Sequence, residues 1–278
     1  MGPIVTAATA AALPVDAVIV HVEVGDPEAA RQTFAAGHLP EARLVERDAV
    51  TSAARRPGDG RHPLPSPEAF AAALGAAGIG WDDPVLAYDR EGGASAARLV
   101  YLLRVLGQDA ALLDGGLAGW TEALATGPPP DVDPVDRAPR AWPAALVSAE
   151  EVQAHLSAGG VVLDARAAER YRGETEPLDP VAGHIPGAVN APFVDNLDPD
   201  GLFRAPPKLH DRYAPLGVDA DAIAYCGSGV TACHDLLAIE HAGLGLPRLY
   251  VGSWSHWITD PSRPVATGDD DRGGGRPH

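Results

Sequence analysis

The 278-residue chain repeats itself once, and no other feature restricts its fold so strongly. Gly37-His38-Leu39-Pro40 returns 146 residues later as Gly183-His184-Ile185-Pro186. An apolar run ending Ala87-Tyr88-Asp89 returns 137 residues later as Ala224-Tyr225-Cys226, and the small-residue stretch Gly92-Gly93-Ala94-Ser95-Ala96-Ala97 after the first is answered by Gly227-Ser228-Gly229-Val230-Thr231-Ala232 after the second. Gly115-Gly116-Leu117-Ala118-Gly119-Trp120 answers to Gly252-Ser253-Trp254-Ser255-His256-Trp257 at the same offset. Three matches in order indicate a duplicated domain. The fall in offset gives the first copy about nine extra residues between its first two landmarks, an insertion near Arg55 to Leu64.

Each copy reads as βαβ units. The apolar runs Ala17 to Val24, Val85 to Tyr88, Val161 to Asp164 and Ala222 to Tyr225 are short and apolar on both faces, as buried parallel strands must be. Helical patterns lie between them, over Pro67 to Ala77, Ala96 to Leu106 and Cys233 to Ala242, with Ser66 and Ser148 as candidate N-caps. The expected fold is α/β, a tandem of doubly wound parallel-sheet domains. Residues 126–143 hold six prolines and little periodicity. The first domain is therefore set at 1–130, the linker at 131–143 and the second domain at 144–266, with 267–278 expected to be a disordered tail.

A net charge of −17 argues against nucleic acid and anionic membrane as partners, because both would be repelled at long range. An anionic substrate would need positive potential built locally. Two cysteines, Cys226 and Cys233, cannot form a disulfide framework and fit a reducing compartment. Met1 to Val20 lacks a basic start, Asp16 interrupts its apolar run, and no stretch is long enough to span a bilayer. A cytoplasmic location is expected. Ten histidines and two cysteines show no tight ligand spacing, so neither a metal nor another cofactor is expected.

The second-copy strand ends at Tyr225, and Cys226 opens a loop of small residues leading into a helix. Such a loop turns backbone N–H groups and the positive end of the helix dipole toward its first residue. A thiolate there is stabilised, and the same cradle suits an anionic substrate. Taken alone, Cys226 reads as a buried small residue after a strand; the loop is what points to chemistry. The first copy carries Asp89 at that place. Cys233 on the following helix reads as packing, with a redox partnership to Cys226 as the alternative. His38 and His184 occupy equivalent places in both copies and read as structural; Trp254 and Trp257 either edge the site or pack.

The repeated Gly-His-[Leu/Ile]-Pro segments, LDGGLAGW from Leu113, DARAAERYRGETEP from Asp164 and the late GSWSHW together resemble the two-domain rhodanese family over roughly residues 15–265. The loop CGSGVTA is similar to that of its 3-mercaptopyruvate sulfurtransferase branch, whereas thiosulfate-using members put basic residues where Gly227 and Ser228 stand. The resemblance implies tandem rhodanese-like domains, the first inactive, with the site in the interdomain cleft. It makes Cys226 the sulfur carrier, as a persulfide, and Ser228 a hydroxyl in a proton relay completed across the cleft by His62 of the insertion and Asp48. Gly227, Gly229, Val230 and Thr231 then line the substrate-binding loop. Arg170 matches one arginine of the family's carboxylate clamp, with Arg172 a further candidate. The second clamp position falls near Asp179, so another cation, Arg61 or Arg172, must stand in, or the donor differs. By itself His62 reads equally as a solvated loop histidine, and Arg170 as a surface residue paired with Glu169 or Glu174.

The implied reaction passes sulfur from a small anionic donor, 3-mercaptopyruvate ahead of thiosulfate, to thioredoxin, a small thiol or cyanide. A cysteine loop before a helix also serves phosphatases, but these close it with arginine at C-x5-R, where this chain has Ala232. A binding scaffold without activity would have no use for Cys226, Ser228, His62 and Asp48 together.

Overall fold

A computed structural model describes residues 1–13 and 16–269. The chain forms two five-stranded sheets in which every strand pair is parallel. The first contains β1 (Ile4–Val5), β2 (Val18–Glu23), β3 (Arg43–Glu46), β4 (Val85–Tyr88) and β5 (Ala110–Leu113), in the order β1-β5-β4-β2-β3. The second contains β6 (Leu146–Val147), β7 (Val162–Asp164), β8 (Val189–Asn190), β9 (Ile223–Tyr225) and β10 (Arg248–Tyr250), in the order β6-β10-β9-β7-β8. The two orders are the same permutation, so the sequence repeat is a repeat of topology. In both, the order reverses beside the central strand, β4 or β9, and crevices open beyond strand ends at such switch points. Asp89 and Cys226 follow those two strands directly.

The helices start where the sequence signals. Ser66 accepts the Ala69 N–H ahead of Pro67–Ala76, and Ser148 forms a reciprocal capping box with Glu151 ahead of Ala149–Ser157. His38 and His184 prove equivalent in geometry: each ring nitrogen Nδ1 meets a backbone carbonyl, of Phe34 at 2.9 Å and of Tyr171 at 2.8 Å, and each ring stacks on that residue's own ring. They hold corresponding corners of the two halves.

Helices Ala96–Val105 and Ala232–His241 pack against each other between the sheets, and Leu99 and Leu103 share one buried apolar cluster with Leu236 and Ile239. Arg104 and Glu240 close the edge of this seam with an ion pair. Residues 126–143 form no helix or strand, yet they are strapped down. Arg137 donates to the carbonyls of Ile79 and Gly80 and lies over the Trp81 ring, and the Trp142 indole donates to Pro65 O at 2.9 Å. Of the expected tail, Gly268 N–H donates to Arg172 O at 2.8 Å, and residues from 270 lie outside the described residues. Among the described residues no helix is long and apolar enough to cross a membrane.

Candidate active site

Cys226 opens a loop that runs to the Ala232–His241 helix, and Cys226 to Val230 are all buried. The Gly229 N–H donates to Cys226 Sγ at 3.2 Å, and the Cys226 N–H donates to Ser253 Oγ at 3.2 Å. The carbonyls of Cys226 and Gly227 accept N–H groups of Trp254 and Ser255, both at 3.0 Å, which binds the loop to the segment after β10. Gly229 lies at φ +75°, and a Cβ there would stand 2.4 Å from Val251 O. Only glycine satisfies both the turn and the close approach.

The first copy shows what this loop does with an anion. The Asp89 carboxylate sits inside its own loop, Oδ1 accepting from the N–H groups of Glu91 and Gly93 at 2.8 and 2.7 Å, Oδ2 from those of Ser95 and Ala96 at 2.8 Å each. The second loop is one residue shorter, its helix starting at Ala232, six residues after Cys226, where the first starts at Ala96, seven after Asp89, and the N–H it turns onto the sulfur is that of Gly229. An aspartate puts three atoms beyond its Cβ into the cradle; a cysteine puts one.

Over the Cys226 loop ends a row of alternating charges. Asp164, at the end of β7, takes the Arg166 guanidinium through Nε at 3.0 Å and NH2 at 2.5 Å; Arg166 NH1 stands 3.4 Å from Glu176; Glu176 binds Arg170 at 2.6 Å. Arg170 lies 3.4 Å from Asp179, and Asp179 pairs across the seam with Arg61 of the insertion. The Glu176 and Asp179 side chains are 3% and 4% exposed, whereas Arg170 and Arg61 keep 17% and 23%, so the row presents its cations outward. A Cβ on Gly227 would lie 2.5 Å from Arg61 NH2 and 3.5 Å from Arg170 NH2. Burial raises the Glu176 carboxyl, but Arg170 and the N–H groups of Leu178 and Asp179 outweigh it and hold it below its usual range. Asp179 therefore does not leave Arg170 alone above the loop. Arg172 is elsewhere: it forks onto Glu174 on the solvated surface, at 2.7 and 3.0 Å. The partner of Arg170 is Glu176, not Glu169 or Glu174.

The insertion also brings His62 to the seam. Its Nε2 stands 3.8 Å from Asp48 and 3.5 Å from Arg47 NH2, while its Nδ1 is buried with no hydrogen-bond partner among the described residues. Burial first, and then Arg47, Arg98 and Arg61, push the imidazole down to about 4 against the opposing pull of Asp48. His62 is neutral at pH 7. Asp48 is held more closely by Arg47, at 2.8 Å, and that bond and charge outweigh burial to keep its carboxyl below the usual range. Sequence reasoning paired Asp48 with His62 alone and missed Arg47. Ser228 is 8% exposed, and its carbonyl accepts from Arg98 at 3.3 Å.

Other residues take structural places. Cys233 is fully buried, its thiol donates to Gly229 O at 3.5 Å, and burial drives the thiol far above its usual range. Trp254 and Trp257 are buried, their indoles bonded to Val181 O and Pro264 O. Arg98 passed unnoticed in the sequence although it is fully buried against the loop. The signal was available: Ala96–Leu103 is apolar on every face except at Arg98, and a helix with no polar face is buried all round. An open cleft of about 360 Å³ runs beside the insertion, against Leu64, Trp142, Tyr250 and His256, but no residue of the Cys226 loop lines it.

The Rhodanese-like domain family matches the chain twice, at residues 7–123 and 148–260. A Pseudomonas aeruginosa protein named "Probable 3-mercaptopyruvate sulfurtransferase" is 49% identical over 253 residues, covering 88% of this chain and 89% of the relative. SseB of Mycobacterium tuberculosis, which carries the name of a thiosulfate sulfurtransferase, is 36% identical over 262 residues, 92% of each chain. Among solved structures, SseA from Escherichia coli, described under the rhodanese fold and the catalytic mechanism of 3-mercaptopyruvate sulfotransferases, superposes with a TM-score of 0.73. It is 29% identical, over 92% of this chain and 100% of that one.

Proposed function

The chain belongs to the rhodanese-like family, and on that footing we propose that it moves a sulfur atom from 3-mercaptopyruvate to a nucleophilic acceptor through a persulfide on Cys226. The observation that carries this is the loop itself: one sulfur in a cradle whose twin holds a whole carboxylate, beneath Arg61 and Arg170. A persulfide adds one atom to Cys226 and extends toward the same ring of N–H groups, which stabilise its anion.

The Cys226 thiolate attacks the donor sulfur, an S–S bond forms and the C–S bond breaks, its electron pair leaving with carbon as pyruvate enolate. The proton of the donor thiol reaches that carbon, giving pyruvate. Ser228 and His62 are the proposed carriers of this proton, with Asp48 and Arg47 orienting the ring. A histidine held near 4 stores no proton at neutral pH, so it serves by passing one on. Arg61 and Arg170 are proposed to bind the donor carboxylate, guanidinium forks suiting its two oxygens; Gly227, Gly229, Val230 and Thr231 shape the loop beneath. An acceptor thiolate then attacks the outer sulfur and leaves Cys226 as thiolate. Thioredoxin, a small thiol or cyanide, and a cytoplasmic setting, are proposed on chemical grounds, as are two domains joined at 131–143.

Donor choice follows from charge. Arg61 and Arg170 face Glu176 and Asp179, two positive against two negative groups, so a dianion such as thiosulfate gains little from the cluster, while a single carboxylate still finds directed N–H donors. Thiosulfate is the second reading, favoured by the name of SseB. Steady-state kinetics with both donors decide. The expected result is a higher kcat/KM for mercaptopyruvate, with Ser228→Ala and His62→Ala lowering that reaction by about 10²–10⁴-fold and the thiosulfate reaction less. Thiosulfate preferred by tenfold or more, with Ser228→Ala without effect, would move the protein to the thiosulfate branch.

A further inference from the structure

The geometry points to Arg98, a residue of the first copy, as the positioning cation of the Cys226 loop: it pins the loop to the His62 segment and sets a positive charge behind the reacting sulfur. Arg98 is fully buried, and its guanidinium meets only carbonyl oxygens. NH1 donates to Ser228 O at 3.3 Å and Gly229 O at 2.8 Å, in the loop; NH2 donates to Thr51 O at 3.0 Å and His62 O at 2.8 Å, in the first half. Nε has no partner among the described residues, and no ion pair there includes Arg98. An arginine keeps its charge in such a place, and a buried charge without a counter-ion is costly unless it meets an anion.

The anion at hand is Cys226 as thiolate or persulfide. Gly229 links the two groups, its N–H on Cys226 Sγ at 3.2 Å and its carbonyl on Arg98 at 2.8 Å. Burial lowers the guanidinium from its ordinary range, while Cys233 and Cys226 raise it, so Arg98 and the cysteines act on one another. Arg61, Arg170, His62 with Asp48, and Cys233 also stand around the loop. Arg61 and Arg170 are tied to carboxylates and partly solvated, and Cys233 is fully buried; Asp48 also bears on the Arg98 guanidinium but is bonded by Arg47 at 2.8 Å, which leaves Arg98 as the buried cation behind the sulfur with no ion-pair partner of its own among the described residues. The repeat sharpens the contrast. Arg98 is the third residue of Ala96–Val105, and the third residue of the twin helix Ala232–His241 is His234, a buried imidazole that burial drives down to about 3. The copy without the nucleophile supplies the cation.

This rests on Cys226 as the reacting thiol, and iodoacetamide alkylation reports on that thiol with no sulfur donor present, so the failure of Arg98 and the failure of sulfur transfer are distinguishable. In full-length Cys233→Ser protein, Arg98→Gln is expected to slow alkylation of Cys226 at pH 7 at least tenfold and to move its pH profile upward by about one unit or more. Arg98→Lys, which keeps the charge but cannot reach four carbonyls, should alkylate within about threefold of the parent while kcat/KM for mercaptopyruvate falls at least tenfold. A folded Arg98→Gln protein with the parent alkylation profile overturns the proposal. Should that variant not fold, Arg98→Lys decides: alkylation slowed tenfold, or an unchanged kcat/KM, overturns it.

Discussion

At the scale of the residue, the two cysteines share a loop but not a role. Cys226 Sγ receives a backbone N–H and its neighbour Gly227 lies against two guanidiniums, whereas the Cys233 thiol is a donor to Gly229 O, and burial drives it far up. Incubation with mercaptopyruvate and intact-mass measurement should therefore show one added sulfur, about 32 Da, on the parent and on Cys233→Ser but not on Cys226→Ser. Sulfur retained by Cys226→Ser would remove the carrier assignment. Cys226 was legible in the sequence because strand, small-residue loop and helix are neighbours along the chain. Arg47, next to Asp48, and Arg98, alone polar in an apolar helix, left local signals that were overlooked, whereas the tie between Arg61 and Asp179 left none, the two being 118 residues apart and brought together only by folding.

At the scale of the element, the loop and the insertion divide the work between a rigid part and an adjustable one. Gly229, at φ +75° and 2.4 Å from Val251 O for a would-be Cβ, cannot change without moving backbone. Gly227 is different, because a Cβ there meets the far end of the flexible Arg61 side chain at 2.5 Å. Gly227→Ala should fold normally and displace Arg61, raising KM for mercaptopyruvate about tenfold or more while kcat changes less. An unchanged KM would separate Arg61 from donor binding. The helix caps at Ser66 and Ser148 lay open in the sequence, as did the central strands β2, β4, β7 and β9, within a residue at each end, whereas the shorter outer strands did not. The linker was legible as irregular, but its tight strapping to Trp81 and Pro65 was not, because proline counts describe backbone preference and say nothing of what an arginine or tryptophan will reach.

At the scale of the whole molecule, buried titratable groups give folding a distinct response to pH. Burial first of all holds His21 and His62 near 4 and His234 near 3, below the unfolded value of 6.5, so acid drives protons onto the unfolded chain first and stability falls as pH drops from 6.5 toward 4. Asp235 works the other way: burial raises it to about 7 from 3.8, so its contribution is present below 3.8 and is lost as pH rises through 7. Asp235→Asn should consequently gain in Tm relative to the parent as pH goes from 5 to 8; a difference independent of pH would mean that Asp235 does not titrate in the fold. His21 and Asp235 are held within their own halves, whereas at the seam the reach is crosswise. Arg98 of the first half holds the Ser228 and Gly229 carbonyls, and His234 of the second lies near enough to the Gly92 backbone for it to bear on the ring's titration. Each copy thus completes a loop that the other encodes, and the chain is not modular: a first half exchanged for that of a relative can support the second only if its counterparts of Arg98 and Arg61 travel with it.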